Sequence, residues 1–291
     1  MAQFIANGII TSAIYALVAV SFSLIFSTVR FFHFAHGAVF TAGPYFMFIL
    51  NRLCGASIYT SILLSVVFSV LLGCSIEKLI YLNLRRKGSS QLVMLLASLC
   101  IYIVLQNIIS MIFGDETKIL RSGAVEEGVK ILGARVTSIQ MLTVCVSVAL
   151  VVAVAVLLKN TKTGKSMRAV ANDIELANSV GIEGDRVILL TFALGSALAG
   201  IAGILVAVDV DMTPTMGMNA LMMGVVVVII GGVGSIPGVA LGALLLGMAQ
   251  HLGVWKISSQ WQDAIAFIIL LIFLLFRPQG FLGKKVKKVT L

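Results

Sequence analysis

The stretch Gln91–Phe113, QLVMLLASLCIYIVLQNIISMIF, is the clearest indication of the fold, because none of its 23 positions is charged. As an α-helix it would be about 34 Å long, which exceeds the roughly 30 Å hydrocarbon core of a bilayer. A second stretch, Ile58–Leu82, is also long enough to span a membrane unaided. We therefore predict a transmembrane helix at each of these two stretches.

The composition of the whole chain indicates the same environment. Of its 291 residues, 59% are hydrophobic and 11% are charged, and the mean hydropathy is +1.09. Soluble domains average about 25% charged residues, and a fold in water could not hide so much apolar side chain. The net charge of +9 comes from basic clusters between apolar runs, which indicates a lipid bilayer as the partner and no nucleic acid.

Nine apolar runs are predicted to be transmembrane helices, with eight and ten as alternative counts. In lipid each run must be helical, since every backbone amide needs an internal partner. The prediction is a single all-α transmembrane domain, residues 1–291, built from a bundle of about 8–10 helices. The runs are Phe4–Thr28, Phe34–Leu50, Ile58–Leu82, Gln91–Phe113, Ser138–Leu158, Val187–Val208, Ala220–Ile230, Gly238–Val254 and Ala264–Phe276.

The basic residues predict an orientation through the positive-inside rule. With the basic C-terminal tail, Arg277–Lys288, in the cytoplasm, nine spans place fifteen of the 21 basic residues inside and six outside. The N-terminus then lies outside. No Lys or Arg precedes Phe4–Thr28, so this run is predicted to be the first span and not a cleaved signal peptide.

Two loops are too long to be simple turns. The outer loop, about 114–137, carries acidic residues and glycines and is predicted to form a small hairpin or a short helix. The inner loop, about 159–186, is predicted to hold one amphipathic helix that Ser166 caps and Gly181 ends. This helix either packs on the membrane surface or docks in a groove of a cytoplasmic partner.

A glycine-rich stretch, GGVGSIPG, follows the seventh run but lacks the Lys-Ser/Thr of a phosphate-binding loop. We interpret it as a tight turn between two membrane helices, with Pro237 in the first turn of the second. It is also a candidate for a second cytoplasmic contact with a partner. Its candidate residues are Gly231, Gly232, Gly234, Pro237 and Gly238.

Small residues at four-residue spacing in the sixth run, Gly195, Ala199 and Gly203, predict close helix packing. In the second run His36 precedes Gly37, and a histidine at membrane depth indicates either a structural hydrogen bond or a place on the translocation path. For the structural role, backbone carbonyls freed around Gly37 and Pro44 are the predicted partners of His36. The sequence shows no metal-ligand spacing, Walker motif or catalytic triad, so it predicts no metal, cofactor or catalytic residue.

Several motifs, in the right order along the chain, resemble the Liv-type branched-chain amino acid permeases of ABC importers. Phe34–Gly37, FAHG, is similar to the Asn-Phe-Ala-His-Gly-Glu signature of that family, with His33 in place of the Asn and Ala38 in place of the Glu. Three further stretches match, namely Phe192–Gly203, Gly231–Gly238 and Arg277–Gly283. The resemblance implies a fold similar to that of the vitamin-B12-type importer permeases.

The inner loop also carries part of the resemblance, since Glu175-Leu-Ala177 followed by Gly181 resembles the EAA-type loop that couples a permease to its ATPase. The resemblance implies a coupling role for Arg168, Glu175, Ala177 and Gly181. It implies as partners a second homologous permease, two ATP-binding subunits and an extracytoplasmic solute-binding protein. The expected location is a bacterial or archaeal cytoplasmic membrane.

The function implied is that of a permease subunit in a binding-protein-dependent ABC importer for branched-chain or related small amino acids, and not that of an enzyme. Urea or short amides are the alternative solutes. An ion-coupled secondary transporter is the competing class. Such a transporter usually carries its coupling ions on buried carboxylates, and acidic residues are nearly absent from the apolar runs here.

Overall fold

A computed structural model of the chain describes residues 1–120, 128–131, 133–256 and 258–283. The residues outside this description are 121–127, 132, 257 and 284–291. The last of these ranges includes the basic tail Lys284–Lys288. The α-helices are α1 (Ala2–Val29), α2 (Ala35–Phe48), α3 (Ile58–Ile76), α4 (Leu82–Arg86), α5 (Gln91–Phe113), α6 (Ser138–Asn160), α7 (Lys162–Asn172), α8 (Ile174–Ser179), α9 (Gly184–Asp209), α10 (Met216–Gly231), α11 (Ile236–Val254) and α12 (Gln262–Phe276).

Three short irregular helical turns extend or join these helices. A π-helical turn, Ile49–Leu53, prolongs α2, and a second one, Glu77–Tyr81, joins α3 to α4. A 3₁₀ turn, Ser259–Trp261, leads into α12. Each of the nine predicted apolar runs therefore lies on a helix in the described part of the chain.

Seven helical segments among the described residues are long and apolar enough to cross a bilayer. They are α1, the continuous segment from α3 through α4, α5, α6, α9, α11 and the segment formed by the 3₁₀ turn with α12. The two remaining predicted spans are shorter, since α10 has 16 residues and α2 has 14 before its π-helical turn. The predicted fold class, an all-α membrane bundle, is confirmed.

Helices α1 and α9 form the centre of the bundle, whereas α3, α5, α6 and α12 expose most of their apolar surface. Helices α1 and α2 approach α9 closely at its glycines, which have no side chain. A Cβ at Gly195 would lie 2.7 Å from the Ile25 side chain of α1. A Cβ at Gly203 would collide with the carbonyl oxygen of Phe40 on α2. Between these glycines Ala199 is almost fully buried, so this face of α9 lets two helices pack against it at backbone distance.

The described part of the outer loop contains a hairpin, one of the two structures that the sequence predicted. Strands β1 (Val129–Ile131) and β2 (Ala134–Val136) pair antiparallel, with Val129 opposite Val136. The side chain of Gln3 exchanges hydrogen bonds of 2.8 and 3.0 Å with the backbone of Arg135. This end of the bundle therefore holds the start of α1 together with the hairpin.

The opposite end of the bundle collects the longer inner loop. The guanidinium of Arg30, directly after α1, donates a hydrogen bond to the carbonyl of Ala171 on α7. Arg86, directly before the loop that leads to α5, pairs with Asp185 at the start of α9 at 3.2 Å. Helices α7 and α8 thus lie at the end of the bundle where α1 finishes and α9 begins.

Candidate functional site

The inner loop forms two helices with a break at Asp173, whereas the sequence predicted one. Helix α7 begins five residues earlier than predicted because Thr161, not Ser166, is its cap, accepting from the amide of Gly164 at 3.0 Å. Asp173 has extended backbone geometry, and its Oδ1 accepts from the amides of Glu175 and Leu176 at 2.9 and 3.0 Å. A carboxylate that caps a new helix competes with continuation of the old one, which is why the helix is interrupted here.

Helix α8 directs Ile174 and Ala177 toward the bundle and its other side chains outward. Ala177 is buried, whereas Glu175 is exposed. Leu176 and Val180 are 65% and 70% exposed, and a four-residue spacing places them on the same face. The result is a small apolar patch, Leu176 with Val180, that nothing in the described chain covers.

The exit from α8 has the geometry that the sequence predicted at Gly181. Gly181 has a φ of 86°, a left-handed conformation that a residue with a Cβ rarely adopts. The amide of Ile182 donates to the carbonyl of Ala177, and the side chain of Asn178 accepts from the amide of Gly184, each close to 3.0 Å. The second of these bonds links α8 to the first residue of α9.

The glycine-rich turn between α10 and α11 lies at the same end of the bundle. Gly232 and Gly234 both have positive φ, and Ser235 caps α11 by accepting from the amide of Gly238 at 3.2 Å. Pro237 lies in the first turn of α11, as the sequence predicted. A Cβ at Gly231 would lie 2.5 Å from the carbonyl oxygen of Gly238, so the two helices cross at backbone contact.

The chain after α12 closes on this turn, an arrangement that sequence reasoning did not find. The amides of Phe281 and Leu282 donate to the carbonyls of Ile230 and Gly231 at 2.8 and 3.1 Å. These carbonyls belong to the last turn of α10, which has no further helical residues to bond them. The only signal for it in the sequence is the Arg277–Gly283 motif, which indicates the family but not this contact.

His36 is fully enclosed, but its partner is not the one predicted. Its Nε2 lies 2.9 Å from the hydroxyl of Ser21 on α1, and not near the carbonyls around Gly37 and Pro44. The single hydroxyl hydrogen of Ser21 is directed to the carbonyl of Val18 at 2.7 Å, so Nε2 of the neutral imidazole is the donor. Gly37 serves a neighbouring contact, because a Cβ there would lie 2.9 Å from the carbonyl oxygen of Gly217.

A second buried histidine extends this polar centre toward the inner end. His33 is fully buried, its ring centroid lies 5.8 Å from that of His36, and its Nδ1 lies 3.0 Å from the hydroxyl of Tyr81. Tyr81 ends the π-helical turn Glu77–Tyr81 that joins α3 to α4. A π-helical turn holds one extra residue, which changes the direction of the side chains after it. In this turn both Glu77 and Tyr81 are buried.

An ion-pair chain connects this turn to α9. Glu77 is 2% exposed and pairs with Arg85 at 2.6 Å. Arg85 and Arg86 also contact the two carboxylate oxygens of Asp185, at 3.4 and 3.2 Å. Asp185 lies in the first turn of α9, directly after the α8 exit.

In the described part of the chain no three His, Cys, Asp or Glu side chains are grouped as metal ligands.

Comparison with known protein families gives a match over most of this chain. The family model described as "Branched-chain amino acid transport system / permease component" matches residues 4–274. The chain belongs to this family of permeases. The family membership implies membrane-associated ABC-transporter partners, and a permease role in place of an enzymatic one.

Two relatives and one solved structure illustrate the likeness. The permease LivH of Salmonella typhimurium is 32% identical, with 97% of this chain and 96% of the relative covered. The permease BraD of Pseudomonas aeruginosa is 31% identical, with 99% and 97% covered. The solved structure of PsaBC from Streptococcus pneumoniae in complex with Fab covers 95% of this chain and 92% of that chain, with a TM-score of 0.52 and 14% identity. That structural likeness shows the fold alone, and the chain is a multi-pass inner-membrane permease.

Proposed function

We propose that the chain is the membrane-spanning permease subunit of a binding-protein-dependent ABC importer for branched-chain amino acids. The family and the near-full-length likeness to LivH and BraD support this solute class over urea and short amides. The competing class, an ion-coupled secondary transporter, is not favoured by these relatives. The proposed assembly contains a second homologous permease, two ATP-binding subunits and an extracytoplasmic solute-binding protein.

One observation carries the proposal, namely the exposed apolar patch of Leu176 and Val180 on α8. A short helix with an apolar face at four-residue spacing suits docking in a groove of a partner protein. The Asp173 cap and the Gly181 exit hold α8 at a defined angle to α9. The proposed partner is an ATP-binding subunit, and the exposed Glu175 on α8 is available to it. Arg168, the other charged residue predicted for coupling, lies on α7.

Transport through the reconstituted assembly tests this function. The chain, its partner permease, ATP-binding subunits and binding protein are placed in liposomes, and ATP-driven uptake of labelled leucine is measured. Leu176→Asp should remove most uptake and weaken retention of the ATP-binding subunit, because it puts a charge in an apolar contact. Lys162→Asp is the matched control, since it adds a carboxylate at the favourable start of α7. Equal uptake by both variants would contradict the coupling role of α8.

The proposed orientation puts α7 and α8 in the cytoplasm and the β1–β2 hairpin outside. It rests on the basic residues, which are concentrated at the α7 end of the bundle. In a variant with its four native cysteines replaced by serine, an impermeant thiol reagent should label Lys130→Cys in intact cells. The same reagent should label Lys162→Cys only after permeabilisation, and the opposite pattern would invert the assignment.

A further inference from the structure

A large cavity opens between α1, α6, α7 and the turn that precedes α11, and the coupling surface of α8 takes no part in it. Its volume is about 1020 Å³, and four cationic residues line it: Arg30, Lys159, Lys165 and Arg168. Among the described residues the lining contains no Asp or Glu. A cavity with one sign of charge and low-dielectric walls concentrates ligands of the opposite charge.

The four cations are not neutralised elsewhere in the described chain. The ion pairs found there use other basic residues, namely Arg85, Arg86, Lys118 and Arg186. The N-terminus of α11, at Ser235 and Ile236, also lines the cavity and adds the positive end of a helix dipole. The ligand that fits this field is an anion.

Arg30 is held in place at a conformational cost. Its φ of 60° makes it the one left-handed non-glycine residue in the described part of the chain, a conformation that is unfavourable for a residue with a Cβ. Its guanidinium donates to the carbonyl of Ala171, which joins the end of α1 to α7 across the cavity mouth. A strained backbone that positions a cation at a cavity is a typical feature of a binding site.

Away from its four cations the cavity is lined by apolar side chains together with the hydroxyls of Ser23, Ser27, Thr28 and Thr191. The lining of α1 runs from Arg30 back to Val20, about 15 Å along the helix axis. On α6 it runs from Lys159 to Ala155, and α11 adds Val239. A free anion needs only the mouth, whereas a ligand with a charged head and an apolar body would use the whole depth.

We propose that this cavity binds a phospholipid with an anionic headgroup, drawn from the leaflet at the α7 end of the bundle. The phosphate and headgroup would lie among Arg30, Lys159, Lys165 and Arg168, and the glycerol and upper acyl carbons against the apolar walls. Basic pockets between transmembrane helices at this membrane boundary bind such headgroups through the same combination of forces.

The experiment counts lipid retained on the purified full-length chain. Delipidated protein in detergent is titrated with phosphatidylglycerol or with phosphatidylcholine of matched acyl chains, and bound lipid is measured by native mass spectrometry. Phosphatidylglycerol should bind about tenfold more tightly or better, because each lysine near an anionic headgroup contributes a factor of about five. Equal binding of the two lipids would overturn the proposal.

Matched variants separate the cavity from general surface charge. Lys159→Gln with Lys165→Gln removes two cavity cations and should weaken phosphatidylglycerol binding about tenfold or more. Lys87→Gln with Lys162→Gln removes two exposed cations that do not line the cavity, and binding should change less than about twofold. Equal losses in the two pairs would mean a diffuse charge effect and would refute the cavity as the site.

Two competition arms identify the source of the anion. Millimolar inorganic phosphate should leave bound phosphatidylglycerol in place, and displacement by phosphate would show a free-anion pocket in place of a lipid site. Millimolar leucine should also leave the lipid bound. Displacement by leucine, lost in the Lys159→Gln/Lys165→Gln variant, would make the cavity a solute vestibule and contradict the lipid assignment.

Discussion

His36 of α2 and Ser21 of α1 are joined by a 2.9 Å hydrogen bond in the buried centre of the bundle. Ser21 uses its own hydrogen on Val18, so His36 is the donor in this contact. The bond ties the helix that carries the family's FAHG motif to α1, one of the two central helices of the fold. We therefore propose that His36 has a structural role that needs no solute.

The first prediction follows from that bond. His36→Ala removes the donor, leaving the buried Ser21 oxygen without it, which should destabilise the chain by about 1–3 kcal/mol. His36→Gln places an amide N–H at a similar reach and should recover most of the loss. The measurement is the yield of folded chain and its thermal transition in detergent. If His36→Ala has normal stability but alters which amino acids are transported, His36 is a selectivity residue and the structural interpretation is wrong.

The second prediction concerns the break between α7 and α8. Asp173→Ala removes the cap of α8, which typically costs about 1 kcal/mol. Alanine at this position then lets α7 and α8 continue as one helix. Leu176 and Val180 would then point away from their present direction. Leucine uptake by the reconstituted assembly should fall while membrane insertion is unchanged.

Asp173→Asn is the control for this prediction, because asparagine caps helices about as well as aspartate. It should keep both the break and most of the uptake. Uncoupled ATP hydrolysis in Asp173→Ala, measured beside uptake, would locate the defect at the interface with the ATP-binding subunit. Normal uptake by Asp173→Ala would show that the angle of α8 is unimportant.

The third prediction concerns the packing of α9 on α2. At Gly203 an added Cβ would collide with the Phe40 carbonyl oxygen, a backbone atom that cannot move away alone. Gly203→Ala should therefore lower the folded yield several-fold. Gly253→Ala in α11 is the control, since its Cβ would meet only the terminal carbon of the Ile265 side chain, at 2.6 Å. Similar yields for both alanine variants would show that α9 and α2 are free to separate.

The sequence predicted what depends on local composition. Each apolar run became a helix because no other structure satisfies its backbone in lipid, and the positive φ at Gly181 follows from glycine itself. The cap at Asp173 was missed because alanines and Glu175 favour a continuous helix, and a single side-chain oxygen reversed that preference.

Features that join distant segments were not predictable from the pattern. Ser21 is one serine among many on apolar runs, and nothing local shows that it faces His36. The same holds for the contact of Phe281 with Ile230, which brings the segment after α12 to the end of α10. Such pairs are set by how helices cross, and the pattern of a single sequence carries no record of that.

The last prediction concerns the ion pair between the buried Glu77 and the partly buried Arg85. Glu77 is 2% exposed and Arg85 is its 2.6 Å partner, so Arg85→Gln leaves a buried carboxylate without its cation. Removing one member of a buried pair typically destabilises by about 3–5 kcal/mol, whereas removing both charges is often close to neutral. Arg85→Gln should therefore lower the thermal transition strongly, and adding Glu77→Gln should restore most of it.

Arg86→Gln is the control, because Arg86 is 67% exposed and among the described residues pairs with the half-exposed Asp185, a contact worth about 0–1 kcal/mol. The three variants, measured in one detergent against the parent chain, complete the comparison. Additive losses in the double variant would mean that Glu77 and Arg85 act independently, and the ion-pair chain from the π-helical turn to α9 would have no energetic basis.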